Sequence, residues 1–205
     1  MKLFYQTHSP YARKVLVAAH ETGLAGDIDV VHHETSPTRP NDDVSALNPL
    51  GKVPVLITDD GLALFDSNVI CEYLDRLHGQ HLLIPLGEAA RYRALRRQAL
   101  AQGIADAGIA ARWESERRPS TLRWPIMQEA QTRKVVAACD FLEREIDADV
   151  PVDLGTIALA TALSWIAFRN VHDFAVGRPR LAAWYESFRS RASMLATDLR
   201  GETQD

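Results

Sequence analysis

The chain has 205 residues, and 46% of them are hydrophobic. This is enough for one large core or two small ones, because domains commonly span about 100–150 residues. Its 23 basic and 27 acidic residues give a formal net charge of -4, so there is no broad cationic field for nucleic acid or anionic lipid. We therefore expect a small neutral or acidic ligand, with no nucleic-acid partner and no membrane partner.

The N-terminal residues lack the apolar segment of a secretory signal, and no apolar run approaches the ~18 residues of a membrane span. These features predict a cytoplasmic protein. The two cysteines, Cys71 and Cys139, form neither a Cys-x-x-Cys pair nor a cluster with metal-ligand spacing. The adjacent His32 and His33 would point to opposite faces of a strand, so they cannot share an ion. We expect no metal site.

The first part of the chain alternates between strand and helix signals. Residues 2–5 favour a short strand, and Ser9-Pro10 places a capping residue before the proline that is common at the first helical position. The helix is expected to end near Gly23, a residue type that often follows a helix. A second strand at residues 28–33 should then return beside the first, as in a βαβ unit.

A polar stretch over residues 34–48 precedes two apolar runs, at 53–58 and 62–65. Asp-Asp-Gly at 59–61 separates these runs and is a strong hairpin signal. A helix capped by Asp-Ser is expected over residues 67–78. The predicted order βαβ-ββα is typical of an α/β thioredoxin-like domain.

Strand signals stop after this helix. Residues 79–88 form a short connection that contains Pro85 and Gly87, so we expect a linker there, between an α/β domain at 1–78 and an all-helical domain at 89–205. Prolines separate four predicted helices in the second domain, at residues 89–116, 128–147, 154–171 and 180–191.

A proline at position 54 interrupts the entry into an apolar strand. If the Val53–Pro54 bond is cis, the chain turns sharply and the backbone N–H and C=O of Val53 face outward, free to pair with an extended peptide. An ordinary trans proline at an edge strand is the alternative, and it is the commoner form.

Two segments lie at and after this proline, Asn-Pro-Leu-Gly-Lys-Val-Pro-Val-Leu at 48–56 and Leu-Phe-Asp-Ser-Asn-Val-Ile-Cys-Glu-Tyr-Leu at 64–74. Together they resemble the glutathione transferase family. The resemblance implies that the proline is cis and that Val53 pairs with the cysteinyl backbone of glutathione. It also implies that Asp66 and Ser67 hold the γ-glutamyl group.

The chemistry of the acidic-serine pair agrees with this assignment. Ser67 at a helix N-terminus offers a hydroxyl, a backbone N–H and the positive end of the helix dipole to a carboxylate, and Asp66 could meet the α-amino group. The alternative is that the pair only caps the helix. Lys52 could reach the glycyl carboxylate of glutathione, or it could contact only water.

The segment at residues 9–15, Ser-Pro-Tyr-Ala-Arg-Lys-Val, resembles bacterial transferases that have serine or cysteine at its first position. Glutathione reacts as a thiolate, but a free thiol has a pKa of ~8.5. A transferase must therefore lower the pKa of the glutathione thiol. The resemblance makes Ser9 the catalytic residue, whereas a Ser-Pro helix start can also be only a cap. Tyr5 and Tyr11 are competing hydroxyls, and Arg13 and Lys14 are expected on a solvated face, with Arg13 as a minor contact.

The resemblance extends over the C-terminal half, at residues 103–107 and 181–188. Where the family commonly has Ser/Thr-x-x-Asp at the start of a buried helix, this chain has Asp153-Leu-Gly-Thr156. Asp153 can accept from the helix start and Thr156 can donate back, so we expect reciprocal capping in reversed form.

The implied function is that of a glutathione transferase-like enzyme, which conjugates the glutathione thiolate to a small electrophile, expected to be hydrophobic. Because the thiol-transfer branches of the family use cysteine where this chain has Ser9, conjugation is favoured over mixed-disulfide chemistry. The resemblance also implies a homodimer. Alternatives are a non-catalytic glutathione-binding or stress-response interaction module, and a glutathione-dependent peroxidase or dehalogenase. Arg112, Trp113 and Glu116 fall at the end of the long helix, near the mouth of the electrophile site, where they could select electrophiles; for Trp113 a packing role is the favoured alternative.

Overall fold

The computed structural model describes residues 1–201. The N-terminal part is built from four strands and three helices, in the order β1 (Lys2–Tyr5), α1 (Pro10–Glu21), β2 (Asp29–His32), α2 (Asp42–Leu47), β3 (Val55–Ile57), β4 (Ala63–Leu64) and α3 (Ser67–His78). The strands form one mixed sheet with the order β2-β1-β3-β4. β1 and β2 are parallel, whereas β3 is antiparallel to both of its neighbours. The predicted thioredoxin-like fold is confirmed.

Helix α2 was not expected, because it lies in the polar stretch at residues 34–48. Its N-cap is Asn41, whose side chain accepts hydrogen bonds from the backbone N–H groups of Asp43 and Val44. Val44 is its one buried residue and packs with Phe4 and Val55. A helix this short, with one apolar contact, leaves no helical periodicity in the sequence.

The remainder of the described chain is helical. Its helices are α4 (Glu88–Arg112), α5 (Pro125–Glu145), α6 (Leu154–Phe168), α7 (Pro179–Arg189) and α8 (Ala192–Ala196). The predicted helix at 89–116 differs at its end, where α4 gives way to a π-helical turn over Trp113–Arg117. The division of the chain at residues 79–88 stays a prediction, and the last four residues of the predicted second domain lie outside the described range.

Helix α6 occupies the centre of the molecule. Nearly all of its residues are buried, and it packs against α4, α1 and α7. A helix that is apolar on every side needs neighbours all round, and these three supply them. None of the helices described between residues 1 and 201 is both long and apolar enough to cross a membrane.

The start of α6 has both bonds of the reversed cap. Asp153 Oδ1 accepts from the backbone N–H of Thr156 at 2.8 Å, and Thr156 Oγ1 accepts from the backbone N–H of Asp153 at 2.8 Å. Arg97 on α4 adds an ion pair to the same carboxylate at 3.0 Å. The cap therefore fixes the start of α6 and also ties it to α4.

We expect Asp153→Ala to lower the free energy of unfolding by ~1–2 kcal/mol, because the N-cap acceptor and the partner of Arg97 are both lost. Asp153→Asn, which keeps an acceptor, should lose less. Urea denaturation followed by circular dichroism measures both, and Asp149→Ala at an exposed loop position is the control. An equal loss in the alanine and asparagine variants would show that the ion pair, not the cap, provides the stability.

Alanine substitutions at Gly155 on α6 and Gly103 on α4 provide a second test of the packing between these helices. A Cβ at Gly155 would lie 2.4 Å from the Ala94 carbonyl oxygen and 2.7 Å from the Arg97 Cβ, whereas a Cβ at Gly103 has no neighbour within 4 Å. We expect Gly155→Ala to destabilise the protein by ~1–3 kcal/mol, since backbone must move. Gly103→Ala should stabilise it by up to ~1 kcal/mol through helix propensity. Thermal unfolding of the two variants should shift in opposite directions, and a common direction would contradict this account.

Candidate functional site

A cleft of about 970 Å³ lies between the sheet domain and the helices. Its lining includes five residues that the sequence analysis assigned to the ligand: Ser9, Lys52, Val53, Asp66 and Ser67. These residues come from three separate segments of the chain, at the start of α1, before β3 and at the start of α3. The fold therefore brings together the motifs that sequence spacing could only suggest.

Ser9 is the N-cap of α1. Its Oγ accepts a hydrogen bond from the backbone N–H of Ala12 at 3.2 Å, and Pro10 takes the first helical position. A serine hydroxyl has one proton to donate besides the lone pairs with which it accepts. Capping uses a lone pair and leaves the proton, so the cap and the stabilisation of an anion in the cleft are compatible roles for Ser9.

Tyr11 also lines the cleft, but its hydroxyl has a partner. It donates a hydrogen bond across the cleft to the Asp106 carboxylate on α4. Burial, together with this hydrogen bond, raises the pKa of Tyr11 above its ordinary value. Its proton is therefore committed to Asp106. Tyr5 is not among the residues that line the cleft, which leaves Ser9 as the better placed of the three hydroxyls.

The Val53–Pro54 peptide bond is cis. Val53 lies in a bend before β3, outside the ladder of the sheet. Among the hydrogen bonds of residues 1–201, none involves the backbone N–H or C=O of Val53. Paired backbone groups are the rule in proteins, so this donor and acceptor at the cleft wall are suited to an extended peptide.

Ser67 opens helix α3 and is almost fully buried, with 1% of its surface exposed. Its Oγ has no hydrogen-bond partner among the described residues. The cap of this helix is made instead by Asp66, which accepts from the backbone N–H of Asn68 at 2.9 Å. A buried hydroxyl without a partner is costly, and a helix start attracts an anion. Ser67 is therefore suited to a carboxylate.

A buried cation, Lys14, is hydrogen-bonded to the start of α3 at the Ser67 end of the cleft. Lys14 Nζ donates to Asn68 Oδ1 at 2.5 Å, and the side-chain amide of Asn68 reaches the Asp66 carboxylate at 3.3 Å. Gln98 Nε2 donates to the same Asn68 oxygen at 2.6 Å. Burial lowers the pKa of Lys14. The expectation that Lys14 lies on a solvated face is wrong, because this side of α1 packs against α3 and α4.

The expectation for Arg13 is wrong for a similar reason. Its side chain is buried between α1 and the helices that follow, where Nη1 donates to Ser164 Oγ at 2.5 Å and Nη2 to the Met194 carbonyl oxygen at 3.1 Å. Asp198 adds an ion pair at 3.8 Å. Arg13 does not line the cleft, so it holds α1 in place and is not a ligand contact.

His8, which directly precedes Ser9, was missed by the sequence analysis. It has a positive φ of 68° and is buried, with Nε2 donating to the Arg200 carbonyl oxygen at 2.6 Å. Arg169 donates to its Nδ1 at 3.2 Å. A single histidine carries no signal in a sequence, because its partners lie more than 150 residues away along the chain.

The helical wall of the cleft is mixed in character. Ile109, Ala110, Trp113 and Trp165 supply apolar surface, and Gln102, Asp106, Arg112 and Arg169 supply polar groups. Arg112 and Trp113 line the cleft as expected from the sequence. Glu116 does not line it but forms an ion pair with Arg112, with Oε2 at 2.9 Å from Nε.

The comparisons with known proteins agree with this geometry. Residues 8–77 match the family model described as the N-terminal domain of glutathione S-transferase. Over 97% of its length the chain is 32% identical to the GST-like protein YibF of Escherichia coli K12, and the match covers 98% of that protein. The chain belongs to the glutathione S-transferase family.

Solved structures of this family match almost the whole chain. A glutathione transferase family member from Pseudomonas fluorescens Pf-5 with bound glutathione superposes with a TM-score of 0.94 and 38% identity, covering 98% of this chain and 99% of that chain. A second structure from that organism, with bound S-(propanoic acid)-glutathione, has a TM-score of 0.86 and 38% identity, with 96% and 98% covered.

Substitution of Ser67 tests the carboxylate site. We expect Ser67→Ala to raise the Kd for glutathione about tenfold or more, because a hydrogen bond to a charged group contributes ~1.5–3 kcal/mol. The free energy of unfolding should hardly change, since the hydroxyl has no partner in the protein. Titration calorimetry and denaturation measure the two quantities, with Ser190→Ala at an exposed position as the control. A loss of stability with unchanged affinity would assign Ser67 a structural role.

Proposed function

We propose that this protein conjugates the thiolate of glutathione to a small electrophile, with glutathione as cosubstrate. The observation that carries the proposal is the hydroxyl of Ser9, which caps α1 through a lone pair and keeps a proton for an anion in the cleft. The same cleft has two groups without partners in the described chain, the Val53 backbone and the Ser67 hydroxyl, which suit the peptide and the carboxylate of the tripeptide.

Each part of glutathione has a complementary group in this proposal. The cysteinyl backbone pairs with the N–H and C=O of Val53, and the γ-glutamyl carboxylate takes the Ser67 hydroxyl at the start of α3. Asp66 receives the α-amino group, and the exposed Lys52 reaches the glycyl carboxylate. With these contacts made, the sulfur lies toward Ser9 and the open helical half of the cleft.

This site can supply the free energy needed to lower the pKa of the glutathione thiol. To lower the thiol pKa by two units requires ~2.7 kcal/mol at ~1.36 kcal/mol per unit. A hydroxyl hydrogen bond to an anion contributes ~1.5–3 kcal/mol, and the N-terminus of α1 adds ~0.3–1 kcal/mol. The Ser9 hydroxyl and the helix end together are therefore sufficient to make the thiolate the main species near neutral pH.

The position of the cysteines favours conjugation over chemistry that requires a protein thiol. Cys71 is fully buried, and burial raises its pKa to about 12. Burial also raises the pKa of Cys139, to about 11. Neither thiol lines the cleft, so a mixed disulfide with glutathione has no reaction partner there.

A bound thioether in a relative also supports conjugation. S-(propanoic acid)-glutathione, held by the second Pseudomonas fluorescens structure, is glutathione whose sulfur carries a carbon chain. A cleft of the same fold can thus hold an S-substituted glutathione. We further propose that the protein acts in the cytoplasm as a homodimer, as is expected from the family; light scattering of the purified protein tests the dimer.

Variants of Ser9 separate catalysis from capping. We expect Ser9→Ala to lower turnover about tenfold or more and to raise the pKa of the bound glutathione thiol, because a hydrogen bond to the thiolate is lost. Ser9→Gly also lacks the hydroxyl but retains most of the cap, since glycine at an N-cap costs only a few tenths of a kcal/mol relative to serine. Both variants should lose activity, whereas Ser9→Thr should keep much of it.

The measurements are steady-state conjugation of a chromogenic electrophile and titration of bound glutathione by the ultraviolet absorbance of the thiolate. Full activity in Ser9→Gly with loss in Ser9→Ala would limit Ser9 to capping. Glutathione binding without turnover, across a panel of electrophiles, would indicate a binding module instead of an enzyme. Failure to bind glutathione would overturn the proposed function.

A further inference from the structure

We propose that His8 is a positioning residue for Ser9. Its side chain binds the backbone of the segment that follows α8, at Arg200, and so fixes the turn that leads into Ser9. This inference goes beyond the proposed function but rests on it, because the position of Ser9 matters only if its hydroxyl holds the glutathione sulfur. It is drawn from the backbone conformation of His8, its burial and the two hydrogen bonds of its ring.

The turn between β1 and α1 spans residues 6–9. The backbone N–H of Ser9 donates to the Gln6 carbonyl oxygen at 3.2 Å and closes this turn. His8 is its third residue and has a φ of 68°, in the left-handed region. Glycine or asparagine is favoured at such a position, because a Cβ crowds the backbone there. Strain of this kind next to a functional group persists only where the surrounding structure holds the residue in place.

The ring of His8 is held by the helical half of the protein. It is 4% exposed, and it lies against the Phe168 ring with the centroids 4.7 Å apart. Nε2 contacts the Arg200 carbonyl oxygen at 2.6 Å, and Arg169 Nη2 contacts Nδ1 at 3.2 Å. A guanidinium has only donors, so Nδ1 is the acceptor and the ring proton lies on Nε2, which donates to the carbonyl. Both nitrogens have protein partners, so the ring is not a base or a donor for the ligand.

The other residues of the turn are held less firmly. Gln6 and Thr7 are partly buried, and their side chains contact the exposed residues Glu34 and His32 at the end of β2. Contacts between exposed polar side chains restrain a loop weakly, because water competes for the same groups. The buried ring of His8 is therefore the main anchor of this turn.

Ser9 is restrained from two sides. On the helix side its Oγ accepts from the backbone N–H of Ala12 at 3.2 Å, and on the other side lies the turn held by His8. A hydrogen bond weakens steeply as it bends, so the Ser9 hydroxyl serves an anion over a narrow range of directions. A loosened turn would keep the cap but widen that range. The proposed glutathione contacts at Val53 and Ser67 belong to other segments, so they should persist.

Two substitutions separate the anchor from the backbone strain. His8→Asn tolerates a left-handed φ, but its side chain is too short to reach the Arg200 carbonyl, whereas His8→Gln places an amide N–H near the position of Nε2. We expect His8→Asn to lower the kcat of conjugation about fivefold or more and to raise the pKa of the bound glutathione thiol. The Kd for glutathione should change by less than about twofold. His8→Gln should keep most of the activity.

A double variant shows whether His8 acts through Ser9. In a Ser9→Ala protein the hydroxyl is absent, so adding His8→Asn should lower kcat by no more than about twofold. A further loss as large as that in the unmodified protein would overturn the inference. An unchanged kcat and thiol pKa in His8→Asn would overturn it too, and so would equal losses in His8→Asn and His8→Gln. Weaker glutathione binding in step with the loss of kcat would assign His8 a general structural role and reject positioning.

His81→Asn is the matched control. His81 is another histidine with a positive φ, 51°, and it does not line the cleft, so the same exchange there should leave kcat and the thiol pKa unchanged. If circular dichroism shows that His8→Asn does not fold, His8→Gly takes its place with the same expectations, since glycine has the least strain at this φ. Undiminished turnover in Ser9→Ala alone would count against the proposed role of Ser9, and a loss in Ser9→Ala without one at His8 would count against this inference only.

Discussion

Two adjacent cations on α1 determine where the cleft lies. The Arg13 guanidinium donates hydrogen bonds to Ser164 Oγ and to the Met194 carbonyl oxygen in the helical half. Lys14 Nζ donates to Asn68 Oδ1 on α3. A buried charge is stable only when its partners surround it, so each cation fixes α1 against one side of the molecule. The first turn of α1, and with it Ser9, is held at the junction because both contacts are satisfied at once.

A second helix points into the same space. α1 begins at Ser9 and α3 begins at Ser67, and both starts lie in the wall of the cleft. Each helix end attracts negative charge and each serine adds a hydroxyl. Glutathione as a reacting species has negative charge at its sulfur and at its γ-glutamyl carboxylate. In the proposed complex, the backbone of Val53, which has no hydrogen-bond partner among residues 1–201, would pair with the peptide between these two groups.

Local patterns predicted the strands and most of the helices, though not α2 or α8, and they singled out the motifs that line the cleft, because each of these depends on residues close together in the chain. Pro54, the Asp66-Ser67 pair and the Ser9-Pro10 start are of this kind, and so is the reversed cap of α6. The burial of Arg13 and Lys14 could not be predicted in this way, since a helix with two basic residues near its start is usually solvated there. The contact of His8 with Arg200, and the pairing of Arg169 with His8, join residues that only the tertiary fold brings together.

The hydrogen bond between Tyr11 and Asp106 joins the two walls of the cleft across its floor. Together with the packing of α1 on α6, it ties the two halves to each other at this point. A hinge motion between the two halves would have to break this hydrogen bond and separate α1 from α6. In the proposed enzyme, acceptors would then be selected by the shape and charge of the cleft as it stands rather than by closure of one half onto the other.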